Sequence, residues 1–208
     1  MYKLSLLFIL VAAVAAFAQE SPVKTASEKP QTPINSTSSL LPSKRSYDAG
    51  ANMVLLSAEK TPEEFYSFKP TPTMATFGEI LGAVADWNYR NCSGVLGDKN
   101  AHAKVQGVKT SKTELIATLK DAIAYCDTAY DGMTETAAFQ MATFSSPMGP
   151  LPMAKHQLLN VNIGLNSVHY GNLMVYMWIK NITPPNSDPA VWKKAAENLK
   201  SADKPLNR

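Results

Sequence analysis

The polar side chains best suited to chemistry lie on the last long helix that the sequence predicts. His169 shares one broad face of that helix with Asn162, Asn166 and Asn172, among leucines and a tyrosine. Helical proteins build their sites inside the fold, from residues on facing helices. This face therefore predicts a polar pocket in which His169 is a metal ligand or a general base. The alternative is a buried histidine satisfied by interhelical hydrogen bonds, and a lone histidine favours that interpretation.

The remaining polar candidates indicate structural roles. His102 lies in a polar loop and His156 in the first turns of the long helix, so both are expected at the surface. Asp86 is interpreted as half of an ion pair with Arg90 or as a cap on a neighbouring loop, and Trp87 as a core or pocket wall. The sequence contains no histidine pair at metal-ligand spacing, no glycine-rich phosphate loop and no Gly-x-Ser-x-Gly motif.

The two cysteines, Cys92 and Cys126, fall on the apolar stripes of the second and third predicted helices. They are either two buried thiols or a disulfide that joins these helices. Export to an oxidising compartment, argued below, favours the disulfide. A redox-active pair is disfavoured because reactive pairs are usually close in sequence and partly exposed.

The composition sets limits on the function classes. The chain has 208 residues, of which 45% are hydrophobic and 18% charged, with a formal net charge of +3. This length suits one globular domain with a real core. The weak positive charge excludes a dedicated nucleic-acid binder, which needs a strongly basic surface. Two cysteines are too few for a disulfide-stapled miniature scaffold or a cysteine zinc finger.

The N-terminus has the pattern of a secretory signal peptide. Lys3 precedes an apolar run, Leu4–Phe17, and Ala16-Phe17-Ala18 forms a small-x-small cleavage site. Residues 1–18 are therefore predicted to be removed, and the protein to be periplasmic or secreted, with no membrane attachment after cleavage. Residues 19–43 are rich in Ser, Thr, Pro and Lys, without apolar periodicity, and are predicted to form a disordered tether.

The rest of the chain reads as helices. Residues 44–60 form the first. Thr76-x-x-Glu79 and Ser111-x-x-Glu114 are capping boxes that begin the second and third, with Gly97 and Gly132 at their ends. Residues 134–150 are predicted as a loop, 151–180 as the longest helix and 189–200 as a short amphipathic helix in a C-terminal extension, 189–208. No stretch shows strand alternation. The predicted fold is all-α, an up-and-down four-helix bundle over residues 44–188.

Three segments give the sequence a family resemblance. Residues 65–73 (FYSFKPTPT), 77–86 (FGEILGAVAD) and 169–177 (HYGNLMVYM, followed by Pro184-Pro185) resemble DinB-like (DinB/YfiT-like) proteins, in particular exported bacterial members. The resemblance covers residues 44–188. It implies a four-helix bundle that holds a divalent metal with three histidines, one from the second helix and two, spaced His-x-x-x-His, from the fourth. It also implies metal-dependent thiol transfer, isomerisation or hydrolysis.

The sequence departs from the family pattern at the implied metal ligands. The position of the second-helix histidine is Ala83, and the first position of the fourth-helix pair is Leu165, so only His169 matches. Alanine and leucine side chains cannot ligate a metal, and a single imidazole does not hold a transition metal firmly. We therefore expect a degenerate metal site and no cofactor. Weak zinc or nickel binding, aided by Asp86 or by Asn162 and Asn166, is the alternative.

Three functions are compatible with these residues. The favoured one is an exported binding or interaction module that takes a small molecule in the pocket of the former metal site. The alternative is a divergent divalent-metal-dependent hydrolase or thiol transferase that uses His169. The third is a structural protein that assembles through its tether or C-terminal helix. A homodimer remains open, and no nucleic-acid partner is expected. The enzyme hypothesis requires a second titratable group within hydrogen-bond reach of His169, and the binding hypothesis does not.

Overall fold

A computed structural model describes residues 38–98, 102–146 and 148–202. Its four long helices are α1 (Leu41–Lys60), α2 (Phe77–Leu96), α3 (Lys112–Asp131) and α5 (Lys155–Ile179). The short helix α4 (Glu135–Ala138) and a hairpin of β1 (Met141–Ser146) and β2 (Gly149–Ala154) lie between α3 and α5, and α6 (Pro189–Ala202) follows the bundle. The predicted all-α bundle is confirmed. The predicted signal peptide and most of the predicted tether lie outside the described residues.

Local capping interactions begin the middle helices where the sequence predicts. The Thr76 hydroxyl accepts a hydrogen bond from the Glu79 backbone N–H, and the Glu79 carboxylate accepts one from the Thr76 N–H. Both bonds of the predicted box are therefore present, which satisfies two backbone donors that a helix start leaves free. At α3, Ser111 accepts from the Glu114 N–H and donates to its carboxylate.

The long helices run up, down, down and up along the chain. Gly78 lies against Leu115 and Cys92 is bonded to Cys126, so α2 and α3 run in the same direction. Contacts between α1 and α3 and between α2 and α5 join opposite ends instead, and those pairs are antiparallel. The up-and-down prediction therefore needs one refinement. The described part of the connection between α2 and α3, residues 97–98 and 102–111, is here called the crossover, and its residues Val105 and Gln106 lie back beside the first half of α2.

The segment before α5 differs from the predicted loop. Strands β1 and β2 pair in an antiparallel hairpin, with Met141 opposite Ala154 and Ser146 opposite Gly149. As a result α5 begins at Lys155 rather than Leu151. The sequence hides this hairpin because β2 reads GPLPMA, in which two prolines remove backbone donors and the side chains do not alternate in polarity. The helix α1 also begins three residues before its predicted start.

The bundle interior has two apolar clusters. One lies among Val54, Leu81, Leu115, Leu119 and Leu173, and the other among Tyr47, Tyr130, Leu158 and the cysteine pair. Tyr47 and Tyr130 stack with ring centroids 4.2 Å apart. Across the described residues, no helix is both long enough and apolar enough to cross a membrane.

Candidate functional site

His169 opens onto a small cavity between α2, α5 and the crossover, here called the His169 cavity. Its volume is about 190 Å³. Of the predicted pocket residues, Ala83 and Asn172 line it together with His169. The remaining walls are mostly apolar and come from α2, α5, the crossover and the segment just before α2: Met74, Ala75, Ile80, Gln106 and Tyr176. The structure thus brings together Ala83 and His169, two of the three positions at which the family resemblance implies metal ligands.

One wall of this cavity is held in place by Asp86. Its carboxylate accepts hydrogen bonds from the backbone N–H groups of Val105 and Gln106, at 2.8 and 3.0 Å. Gly82 allows the same approach, because a Cβ there would lie 2.8 Å from the Gln106 Cα. The crossover is therefore fixed directly on α2, with Gln106 in the cavity wall. Asp86 caps a neighbouring loop, one of the two roles that the sequence suggested.

The opposite wall is fixed by Tyr176. Its hydroxyl donates to the Ala75 carbonyl at 2.6 Å, which ties α5 to the segment before α2. Its ring meets Phe68 edge to face, with centroids 5.9 Å apart. This hydroxyl donates to Ala75, and Tyr176 thereby fixes the shape of the cavity.

His169 is half-buried, and its two ring nitrogens are buried without a hydrogen-bond partner. Both ring nitrogens are inaccessible to solvent, and neither bonds to any residue that the structure describes. Burial lowers the pKa of His169 from its ordinary value, because the charged form loses hydration. The ring is therefore neutral near pH 7, with one N–H donor and one nitrogen acceptor. An unpaired buried polar group costs about 1–3 kcal/mol, so a ligand that pairs with one of the nitrogens after a small rotation of the ring would recover part of this cost.

The donor set does not fit a three-histidine metal site. Ala83 faces His169 across the cavity, and Leu165, one turn before His169, is half-buried outside the cavity lining. In the residues described, no group of three His, Cys, Asp or Glu side chains is placed to hold a metal. His169 is the single imidazole in the lining, which contains no carboxylate or thiol, and one imidazole gives weak binding of a transition metal.

Asn162 and Asn166, predicted as pocket residues, lie elsewhere. They are 0% and 1% exposed and take part in a hydrogen-bonded group with Asn88 and Asn91 of α2, here called the asparagine cluster. Asn88 and Asn166 donate to each other, at 3.1 and 3.3 Å, and Asn162 donates to Asn88 at 3.0 Å. Asn91 donates to Asn162 at 3.2 Å. The pocket assignment of Asn162 and Asn166 was therefore wrong, because α2 supplies amides that satisfy theirs in the core.

The cysteine pair lies beside this cluster. Cys92 and Cys126 are bonded, with Cα atoms 5.3 Å apart and both residues fully buried. The Asn162 amide points at both sulfurs, at 3.8 and 3.7 Å. The disulfide joins α2 to α3, and the amide of Asn162 extends this connection to α5.

Asp86 and Trp87 line a second and larger cavity of about 1130 Å³, here called the α2 cavity. It lies between α2, the crossover and β1, and shares Ala83 and Gln106 with the His169 cavity. The predicted pocket thus divides into three places: the His169 cavity, the asparagine cluster and the α2 cavity. No pattern in the sequence indicates Gln106, because a loop residue reaches a site only through the path that the crossover takes.

The other histidines lie outside the His169 cavity. His156 is half-buried, and its Nδ1 lies 2.8 Å from the Ala138 carbonyl oxygen. His102 is exposed and stacks on Tyr89, with ring centroids 3.8 Å apart. Neither contributes to the surroundings of His169.

Comparison with known proteins identifies the fold. The chain is similar to a DinB-like protein from Bacillus cereus, with 18% identity and a TM-score of 0.60 over 69% of this chain and 93% of the other. It is also similar to a DinB-like protein from Bacillus subtilis, with 18% identity and a TM-score of 0.54 over 68% of this chain and 93% of the other. A mutant of mycothiol-dependent maleylpyruvate isomerase is similar in fold, with 12% identity and a TM-score of 0.53 over 64% of this chain and 60% of the other. No protein-family model and no curated protein matches the sequence. The chain therefore has the DinB-like fold.

Proposed function

We propose that this chain, with its DinB-like fold, is a metal-free binding module that takes a small neutral molecule in the His169 cavity. The observation that carries the proposal is the pair of buried, unpartnered nitrogens of His169. The two nitrogens of a neutral imidazole, one a donor and one an acceptor, point in different directions, so a compact ligand with one donor and one acceptor pairs with one nitrogen at a time.

The size of the cavity limits the ligand. Pockets for drug-sized molecules range from about 300 to 1,000 Å³, and the His169 cavity has about 190 Å³. Its apolar walls, which include Met74, Ile80 and Ala83, favour a compact ligand with a hydrocarbon face. A small amide or lactam has this combination of properties.

The alternative, that the protein is an enzyme that uses His169, requires a second titratable group beside the ring. General acid–base catalysis with His169 needs a titratable partner within hydrogen-bond reach to orient the ring or share the proton. No described residue hydrogen-bonds to either nitrogen, and the cavity lining holds no carboxylate or thiol. The similarity to an isomerase therefore extends to the fold and is not matched by a proton-transfer pair.

The signal-peptide pattern of residues 1–18 supports export, and we propose that the module works in the periplasm or outside the cell. A small-molecule ligand is the proposed partner.

The test is a titration of the ¹⁵N-histidine-labelled protein with 2-pyrrolidinone, a compact lactam with one N–H and one carbonyl. We expect saturable shifts of the His169 ring nitrogens. His156 supplies an internal control in the same spectrum, because its Nδ1 is already beside a carbonyl. N-methylpyrrolidinone, which lacks the donor, should bind more weakly. Shifts that do not saturate, or that are equal at both histidines, would contradict the proposal.

A further inference from the structure

The α2 cavity is a second candidate binding site, and most of its walls are formed by residues that do not line the His169 cavity. One wall is the face of α2 that carries Trp87 and Arg90, and the crossover adds Lys104. The base of the hairpin, with Lys155 after it, forms the far wall. Gly94 lets β1 lie directly on α2, because a Cβ there would be 3.1 Å from the Thr143 carbonyl oxygen. The hairpin therefore has a fixed position as a wall of the cavity.

The charges of this cavity are unbalanced. Arg90, Lys104 and Lys155 all line it, and none of them makes an ion pair within the described parts of the chain. The two carboxylates of the lining are engaged elsewhere. Asp86 accepts the two crossover N–H groups, and Asp98 accepts the Tyr125 hydroxyl at 2.9 Å. The lining therefore carries an excess of one formal positive charge with three uncommitted cations.

Aromatic side chains fix the position of the arginine and add flat surface. The Arg90 guanidinium lies over the Trp87 ring, 4.6 Å from its centroid, and Trp87 packs on Phe144 at 6.4 Å. A stacked guanidinium keeps its N–H edge free, and that edge matches the two oxygens of a carboxylate. An arginine held in this way loses less entropy when it binds an anion than a free surface arginine does.

We propose that the α2 cavity binds an aromatic carboxylate, whose carboxylate pairs with Arg90 and Lys155 and whose ring packs near Trp87. A singly charged anion balances the charge of the lining, whereas a dianionic phosphate exceeds it. The volume of about 1130 Å³ accommodates a molecule with one or two rings. This site is separate from the proposed function, which concerns a neutral ligand at His169.

The experiment compares two probes of the same shape, 2-naphthoate and the neutral 2-naphthamide, by ¹H–¹⁵N NMR of the full mature chain. We expect 2-naphthoate to shift the Trp87 indole N–H in a saturable way and to bind at least about tenfold more tightly than the amide. The indole N–H of Trp192 lies outside the cavity, already bonded to the Asn186 carbonyl, and serves as an internal reference. Equal binding of the two probes, or no shift at Trp87, would overturn the proposal.

Two variants and one control locate the carboxylate. Arg90→Gln should weaken 2-naphthoate binding by about tenfold or more, the scale of losing a charge-assisted bidentate contact. Lys155→Gln is a second, independent variant that should weaken 2-naphthoate binding by a smaller factor. It tests the same assignment if Arg90→Gln does not fold. Arg45→Gln, an exposed arginine on α1, should leave the affinity unchanged. Wild-type affinity in both cavity variants would overturn the assignment. Signals at the His169 ring report the other cavity separately, so the two proposals can fail independently.

Discussion

Helices α2 and α5 carry buried polar side chains at two levels of the bundle. At one level, Asn88, Asn162 and Asn166 hydrogen-bond with one another beside the disulfide. At the other, His169 faces Ala83 with both nitrogens unpaired. Asn166 and His169 are three residues apart on one helix, so the difference arises from what α2 presents. In the asparagine cluster one acceptor, the Asn91 Oδ1, also lacks a partner, but Asn91 lines neither cavity. The unpaired nitrogens of His169 belong to a side chain that lines a cavity, where a ligand could supply the partner.

The largest expected loss of stability follows from removing the disulfide beside the asparagine cluster. Replacing both cysteines, Cys92→Ala with Cys126→Ala, should lower the free energy of unfolding by about 3–4 kcal/mol, because the unfolded chain regains the freedom of a loop of this size. The separation in sequence is 34 residues. Urea unfolding followed by circular dichroism measures the loss. A loss below about 1 kcal/mol would show that the disulfide is not part of what stabilises the bundle.

Asn88→Ala comes next, with an expected loss of about 2–3 kcal/mol. The substitution leaves the amides of Asn162 and Asn166 without their shared partner in a site closed to water. Lactam binding at His169 should not change in the folded variant. If Asn88→Ala kept wild-type stability but abolished lactam binding, the cluster would be part of the site and the contrast between the two levels would be wrong.

His169→Leu should have the smallest effect on stability, and with the opposite sign. Replacing an unpaired buried imidazole with an apolar side chain should leave the protein as stable as the wild type or raise the free energy of unfolding by about 1 kcal/mol. Thermal unfolding at pH 8 measures this change. A loss comparable to that of Asn88→Ala would mean that His169 has a structural partner.

His169→Leu should also change how the free energy of unfolding depends on pH. Because burial lowers the folded-state pKa of His169, the unfolded state binds its proton first as the pH falls. Wild-type stability should therefore be complete above the ordinary histidine pKa of about 6.5 and should decrease below it. His169→Leu should lack that part of the decrease, which paired urea titrations at pH 8 and pH 5 would measure. Identical pH profiles would contradict a buried neutral imidazole.

The sequence predicted the elements well because their signals are local. The Thr76 capping box and the apolar stripes fix where α2 and α3 begin and which faces turn inward. The site was predicted less well, because the inward face of α5 does not reveal what lies opposite each of its turns. Asn88 and Asn91 lie on the inward face of α2, next to Cys92, and could have indicated partners for Asn162 and Asn166. No local signal could place Gln106 beside His169.

The most direct test of the metal-free pocket is a comparison of metal binding by two proteins. One is the untagged wild-type chain without residues 1–18, and the other carries in addition Ala83→His and Leu165→His, which restore the histidine positions that the family resemblance implies. Both would be incubated with excess zinc or nickel, desalted and subjected to elemental analysis. We expect no stoichiometric metal in the wild type and about one ion per chain in the double variant, since three imidazoles are enough protein ligands for a zinc site whose fourth position stays open. One ion per wild-type chain, lost in His169→Leu, would contradict the account.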